Sequence, residues 1–427
     1  MRLRSGAVLA TLLGHLANGT AAHATTGSVF GIGPSTRAWA GAGATQATGY
    51  EAAFQNPAAL ALTPEVSLSI GYGVQSSWLY TQRGQAREQR LDTQRISLAA
   101  LGFTLPLEAF GQRFVFGFAS LSPGGSVARA NLPLADEPQF PLLVGRQQAI
   151  DFDLGLGVRP FRGLALGLGL RAVASLSGNA EVQTRGKTTT TRVSDTLEPV
   201  LAPNVGVTVI LNENATAALV LKAPLRADFD MALGAVDLNA TQLPPLHLAG
   251  VAHYDPLSVQ AEYAQRLGPL HAMFGAVYQR FSGTPTLLPS TVTCPAERPD
   301  CLALRANAPH FHDTFDLHVA ATLALKLTHS TVAQLRAGYA FVPSPVPDQT
   351  GAENLLDNAR HRLGLGYHLT LADPLPPLGL DAALTLDQLV PRSSRKSPEV
   401  AADNAGAPTI STRGRALGIS LGLTVKL

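Results

Sequence analysis

The chain has 427 residues, enough for two ordinary domains or one large one. Charged residues make up 15 %, short of the usual quarter or so of a soluble domain, whereas hydrophobic residues reach 46 % and Gly (40) and Pro (30) are both abundant. A net charge of +2 gives no basic footprint and argues against a nucleic-acid partner.

The N-terminus reads as a secretory signal. "MRLR" is a basic start, "AVLATLLGHLA" an apolar core and "AHA" at 22–24 a small-x-small site, so cleavage is expected after Ala24. A membrane anchor is the competing reading, and the short core and His15 disfavour it. No later stretch approaches the ~18–20 apolar residues of a transmembrane helix. An exported chain poor in charge is then either a soluble all-β protein or an outer-membrane barrel. Residues 25–63 are rich in Gly and Ala and carry Asn56-Pro57.

From Val66 onward the pattern changes to strict alternation. Val66, Leu68, Ile70 and Tyr72 interleave with Ser67, Ser69, Gly71 and Gly73. The same period returns at Leu154–Leu156–Val158, at Leu164–Leu166–Leu168–Leu170, at Leu363–Leu365–Tyr367 and at Leu417–Ile419–Leu421–Leu423. Period two over about ten residues predicts strands with one apolar face. The predicted strands are 65–80, 92–106, 112–122, 147–159, 163–176, 198–211, 214–230, 244–254, 257–281, 312–327, 331–342, 359–371, 379–390 and 411–427. Residues 257–281 contain Gly268-Pro269 and could be split, but one kinked strand keeps the count even at 14, as a single-chain bacterial barrel requires.

Links decide between the two classes. Short connections such as "RPFRG", "NEN" and "LTHS" alternate with long ones at 81–91, 123–146, 177–197, 231–243, 282–311, 343–358 and 391–410. Short turns at one end and long loops at the other are the pattern of an outer-membrane barrel. A closed ring is obligatory there, because an open strand edge in hydrocarbon leaves backbone groups unsatisfied. The inward phase is rich in Gly, Ala, Ser and Thr, which leaves room for a filler, and residues 25–63 are the available one. Asp151, Asp153, Arg171, Asp316, Arg336 and Asp381 also fall on the inward phase, where they can pair or hold the filler. A charge on the lipid face would cost ~2–4 kcal/mol at the midplane.

Two predicted loops carry apolar clusters: Leu132, Leu134, Phe140, Leu142, Leu143 and Val144 in one, Met231, Leu233, Val236 and Leu238 in the other. They are candidates for a ligand groove, with packing of loop on loop the equal alternative. Cys294 and Cys301 in "CPAERPDC" are expected to form a disulfide, with a two-ligand metal site the lesser alternative. "HFHD" at 310–313 reads as an incidental polar edge, and the Gly-x-Gly runs lie inside strands with no helix after them. No Ser-His-Asp set, HExxH or nucleophile elbow is visible, so neither an enzyme nor a cofactor is expected.

The stretch "GSVFGIGPSTRAWAGAGATQATGYEAAFQNPAALA", with Asn56-Pro57-Ala58, resembles the N-terminal hatch of the FadL-type long-chain fatty acid transporters, a family that includes aromatic-hydrocarbon channels. "APNVGVTVI", "HDTFDLHVAATLAL" and "LRAGYAFVPSPVPD" followed by "LLDNARHRLGLGYHL" resemble the same family. The resemblance spans the mature chain. It implies an all-β, 14-stranded antiparallel barrel over 64–427, plugged by a small hatch over 25–63, with Phe30, Asn56, Pro57 and Ala58 as hatch or gating residues. It also implies passive entry of fatty acids or aromatics, a hatch movement and a lateral opening in the wall. The expected surroundings are outer-membrane lipid and lipopolysaccharide, and the expected state is a monomer. Leu427 stands where such barrels commonly end in an aromatic residue, and aromatics are only 6 % of the chain. A barrel with a surface or adhesive role, or a general porin, is the alternative.

Overall fold

The computed structural model describes residues 31–91, 93, 95–124, 128–130, 137–143, 147–185, 188–238, 241–285, 309–372 and 376–427, and of 128–130, 147–149, 174–195, 229, 231–250 and 252 the backbone alone. The expected signal, Phe30, Leu132, Leu134, Val144, Cys294 and Cys301 lie outside the described residues.

Besides four strands of two to four residues, the strands, in chain order, are β1 Ser67–Arg83, β2 Ile96–Ala109, β3 Gln112–Pro123, β4 Asp151–Phe161, β5 Leu164–Arg185, β6 Thr188–Asn212, β7 Ala215–Lys222, β8 Leu225–Leu238, β9 Thr241–Asp255, β10 Ser258–Leu267, β11 Leu270–Gln279, β12 Thr314–Lys326, β13 Thr331–Val342, β14 Arg360–Leu371, β15 Leu378–Leu389 and β16 Thr409–Lys426. Fourteen of them close a ring of antiparallel neighbours: β1 to β7 in order, then β10 to β16, with β16 paired back on β1 from Ser67↔Lys426 to Arg83↔Ile410. The alternation in the sequence is the inside–outside alternation of this wall. Leu68, Ile70 and Tyr72 are 50–53 % exposed while Ser67 and Ser69 are 6 % and 1 % exposed. Leucines, valines and phenylalanines continue this outward band around the ring, a surface suited to hydrocarbon and not to water.

Residues 34–62 fill the interior. Helix α1 is Pro34–Ala38, with Pro34 at its first position; α2 is Gly49–Gln55; a 3₁₀ helix follows at Pro57–Leu62. Asn56 ends one helix and begins the next, its Oδ1 accepting from the Ala58 N–H at 3.0 Å. Ala52, Ala53, Ala58, Ala59 and Leu60 are buried. They can approach the wall closely because the wall facing them is glycine. A Cβ on Gly157 would stand 2.7 Å from the Pro57 carbonyl oxygen, and one on Gly117 2.6 Å from Leu60 Cδ2. Gly167 meets the backbone of Pro57 and Ala58 closer still, and Gly364 and Gly366 receive α1 in the same way on the far side.

Three expectations need correction. The links 177–197 and 231–243 are not long loops: β5–β6 and β8–β9 run on as tall hairpins, paired as far as Arg185↔Thr188 and Leu238↔Thr241. Met231, Leu233, Val236 and Leu238 therefore stand on strand β8. Residues 257–281 are two strands, turned at Gly268, whose φ of +63° suits glycine. Finally, 214–230 is interrupted at Ala223-Pro224, and the β8–β9 hairpin leaves the ring there. The total of fourteen is reached with different members: β10 and β11 are both wall strands, while β8–β9 stands outside the ring.

Candidate functional site

The departure of β8–β9 makes a seam. β6 pairs with β7 only from Asn204 to Asn212, and β10 meets β7 only over Ser258–Gln265. Pro224 and Pro256 flank the break and cannot donate to a ladder. The hairpin bends inward: Leu225 and Ala227 pack on Val173 and Ala202, inward residues of β5 and β6. β8 then takes the otherwise open edge of β5 in parallel, Phe229↔Leu176 to Val236↔Gln183. Among the described residues, the β6 backbone above Pro203 has no strand on its seam side.

An ion cluster sits at this seam. Arg171 reaches Asp255 at 2.8 Å and Asp151 and Asp153 at 3.2 Å each, all within the wall interior. Its guanidinium also lies 5.0 Å from the ring centre of Phe54 on α2. The Lys222 ammonium stands 3.9 Å over the same ring. Breaking such a buried group by removing one partner typically costs ~3–5 kcal/mol, because a charge is left without its counterpart. So the seam is held by electrostatics where ladder bonds are missing.

The plug separates two chambers. The upper one, of about 110 Å³, is lined by Arg37, Phe54, Lys222, Asp255, His318 and Arg362 among others. Arg362 is tied to Asp387 at 2.7 Å. Asp316 also faces this chamber. Burial draws the Arg37 guanidinium down to about 10, still charged at neutral pH. The lower chamber, of about 350 Å³, lies toward the short turns and is lined by Arg266, His271, Gln334, Arg336, His368 and Lys426 among others. There Arg336 holds Asp381 at 2.8 Å and donates to the Ser35 hydroxyl at 2.7 Å, while His368 meets Asp381 at 2.9 Å. The lumen is thus charged in both compartments, with Arg336 matched by Asp381 below the plug and Arg171 and Arg362 matched by carboxylates above it.

Polar ties fix the plug to the wall, most of them toward β10–β12 and one, from Asn56, toward β6. Asn56 Nδ2 donates to Ala44 O at 2.6 Å and to Thr208 Oγ1 on β6 at 2.9 Å. Trp39 donates to Thr322 at 2.9 Å, and Gln55 to Gln260 at 3.1 Å. Glu262 on β10 accepts from Gly43 N, Thr45 N and Thr45 Oγ1 at 2.6–2.8 Å. Glu51 of the plug accepts from Ser35 N and Thr36 N at the start of α1.

The upper mouth is covered by residues 137–143. Gln139 exchanges backbone hydrogen bonds with Asn354 and Leu356. Phe140 and Leu143 sink among Leu79, Leu356, Leu389 and Ile410, and Leu142 among Phe281, Phe311, Val346 and Leu355. All three are buried, so they form two small cores under the loops in this state of the molecule.

Of the residues marked in the sequence, Asn56, Pro57 and Ala58 lie on the glycine seat. Asp151, Asp153 and Arg171 meet at the seam, Arg336 and Asp381 below the plug, and Asp316 above it. His310 and His312 are exposed, and Asp313 instead accepts from Tyr278 and Ser282. Glu262, Lys222, Arg362 and Asp387 were missed, although the inward phase of charged residues was a signal for them.

No family model and no curated protein sequence matches the chain. Solved structures do. A Pseudomonas aeruginosa FadL homologue aligns at 15 % identity and a TM-score of 0.63, over 96 % of this chain and 99 % of that one. The toluene transporter TodX of P. putida aligns at 12 % and 0.58 over 93 % and 99 %, and the monoaromatic hydrocarbon channel CymD at 14 % and 0.54 over 95 % and 99 %. The chain has the fold of the FadL-type barrels.

Proposed function

We propose that this chain is an outer-membrane barrel for passive, plug-gated passage of hydrophobic compounds. One observation carries the reading: the plug bars the straight aqueous route, and the ring is interrupted at the seam beside the upper chamber. A path that leads sideways out of a barrel wall leads into lipid, which suits a hydrophobic substrate and not a sugar. In this reading residues 1–24 are a removed signal, 25–63 the hatch and 64–427 the barrel, acting as a monomer among outer-membrane lipid and lipopolysaccharide. Phe140, Leu142 and Leu143 would meet the ligand first, once the mouth opens. The seam above Lys222 and Ser258 is the lateral opening. The charged lining of the upper chamber favours an amphiphile with a polar head, such as a long-chain fatty acid, over a plain hydrocarbon such as toluene, because burying unmatched apolar surface there leaves the polar groups without partners.

The test is uptake of labelled oleate, toluene and a sugar of similar mass by cells lacking their own fatty acid channel, with and without this chain. Oleate entry with sugar excluded supports the reading. Sugar entry with oleate excluded would replace it with a porin.

A further inference from the structure

The wall carries one device that the transport reading does not require. β10, β11 and β12 are neighbours, and Glu262, Gly275 and His318 lie opposite one another across them, Glu262↔Gly275 and Gly275↔His318. All point inward. Glu262 and His318 are 4 % exposed each. Between two long polar residues the row has a glycine. A Cβ there would stand 2.7 Å from the Ala261 carbonyl oxygen and closer yet to the imidazole. The missing side chain is the slot in which the His318 ring lies across β11 to bring Nε2 within 3.2 Å of Glu262 Oε2.

Glu262 spends the rest of its capacity on the plug. Oε2 takes the Gly43 N–H at 2.7 Å; Oε1 takes the Thr45 N–H at 2.8 Å and the Thr45 hydroxyl at 2.6 Å. Among the described residues no other wall side chain accepts as many bonds from residues 31–63. The same row runs on through Ala218 to Thr208, which accepts from Asn56. In the other direction it reaches Ala340 and then Arg362, in the lining of the upper chamber. The row therefore ties the turn at 43–45 to the wall at the level of that chamber, and His318 belongs to both.

We propose that Glu262 is the latch that keeps the plug in its closed seat, and that His318, slotted over Gly275, is the positioning residue that holds the latch in place. Hydrogen bonds to a buried carboxylate are among the stronger ones, and leaving their donors unpaired is costly. The remaining plug contacts are neutral ties, the Arg336–Ser35 bond, the cations of Arg171, Lys222 and Arg336 over the Phe54 and Trp39 rings, or shape contacts on glycine. Release of this single carboxylate frees three donors of the plug at once.

The proposal rests on residues 31–63 being movable, as the transport reading has it, but its test needs no hydrophobic substrate. Full-length protein is placed in planar lipid bilayers and the fraction of time it conducts potassium chloride is recorded. Glu262→Ala should raise the open fraction about tenfold to a hundredfold, the size expected when hydrogen bonds to a charged group are lost. Thr45→Val, which removes one donor, and Gly275→Val, which fills the slot, should each raise it less. His318→Ala should raise it and His318→Gln, which restores an N–H donor, should bring it back. Heat-dependent gel mobility, reporting the barrel itself, should stay as in the parent for Thr45→Val and both His318 variants. An assembled Glu262→Ala protein that stays as closed as the parent overturns the latch. Should that variant not assemble, parent-like closure in both Thr45→Val and Gly275→Val overturns it equally. Failure of oleate uptake with these conductance changes intact would remove the transport reading and leave the latch.

Discussion

The two flanks of the plug are held by different physics. Toward β3–β6 it rests on Gly117, Gly155, Gly157, Gly167 and Gly206, where Ala53, Pro57, Ala58 and Leu60 lie against bare backbone. Toward β10–β12 it is tied by Gln260, Glu262 and Thr322. The first flank is a fit of shape: it gains from dispersion and dryness and has no preferred direction of release. The second is a set of directional bonds that are made or lost one at a time. In the proposed function, where the plug would stay shut and yet come free, one flank that only fits and one that grips would serve both needs. Asn56 is the exception, a polar tie on the dry flank through Thr208.

Substitutions can break that contrast. Gly167→Val should have the largest effect, because its side chain would enter the backbone of Pro57 and Ala58; overpacking costs ~1–3 kcal/mol where neighbours can move, and backbone moves least. The expected outcome is an unseated plug, seen as steady conductance and as protease cleavage within 31–63. Asn56→Ala comes next, with a loss of ~1–2 kcal/mol from the cap on the 3₁₀ helix and the tie to Thr208, read as a partial rise in open fraction. Thr322→Ala should cost ~1 kcal/mol through the indole bond of Trp39, with a correspondingly small rise. Gly268→Ala is the lowest rung: it stands at a turn with φ +63° and open space around it, so it should cost the barrel ~1 kcal/mol by strain and leave conductance unchanged. If Thr322→Ala opened the plug more than Gly167→Val, the flanks would have been assigned the wrong way round.

The dry flank was the easier one to see in the sequence. "DLGLGV" and "LALGLGLR" show leucine alternating with small residues, and the inward glycines Gly155, Gly157, Gly167 and Gly169 mean that something stands close to the wall. The gripping flank was hidden for a specific reason. With 257–281 taken as one strand, Glu262 and Gly275 belong to a single element and cannot lie side by side. Once Gly268 turns the chain, they become cross-strand neighbours, and His318 joins them. The plug's donors are also remote, Gly43 and Glu262 being 219 positions apart, so no local spacing could betray the contact. The seam escaped for the opposite reason. Residues 214–230 keep their alternation across Pro224, and periodicity alone does not record that a strand has left its neighbour. The two tall hairpins read as loops for different reasons: 177–197 is mostly polar, and 231–243 keeps its apolar residues but without strict alternation.

The short strand at the seam also bears on the membrane around it. β7 has eight residues, Ala215–Lys222, before the ring is broken. At about 3.3 Å per residue and a tilt of about 40°, it rises ~20 Å, against the ~25 Å apolar band usual for such barrels. The shortfall falls on one sector only, since β1 beside β16 runs for seventeen residues. In the outer-membrane reading, lipids at that sector would face hydrophobic mismatch and answer it by thinning and disorder. The barrel would then carry a patch of softened bilayer with it, fixed in position relative to the ring, where acyl chains are already loosely packed.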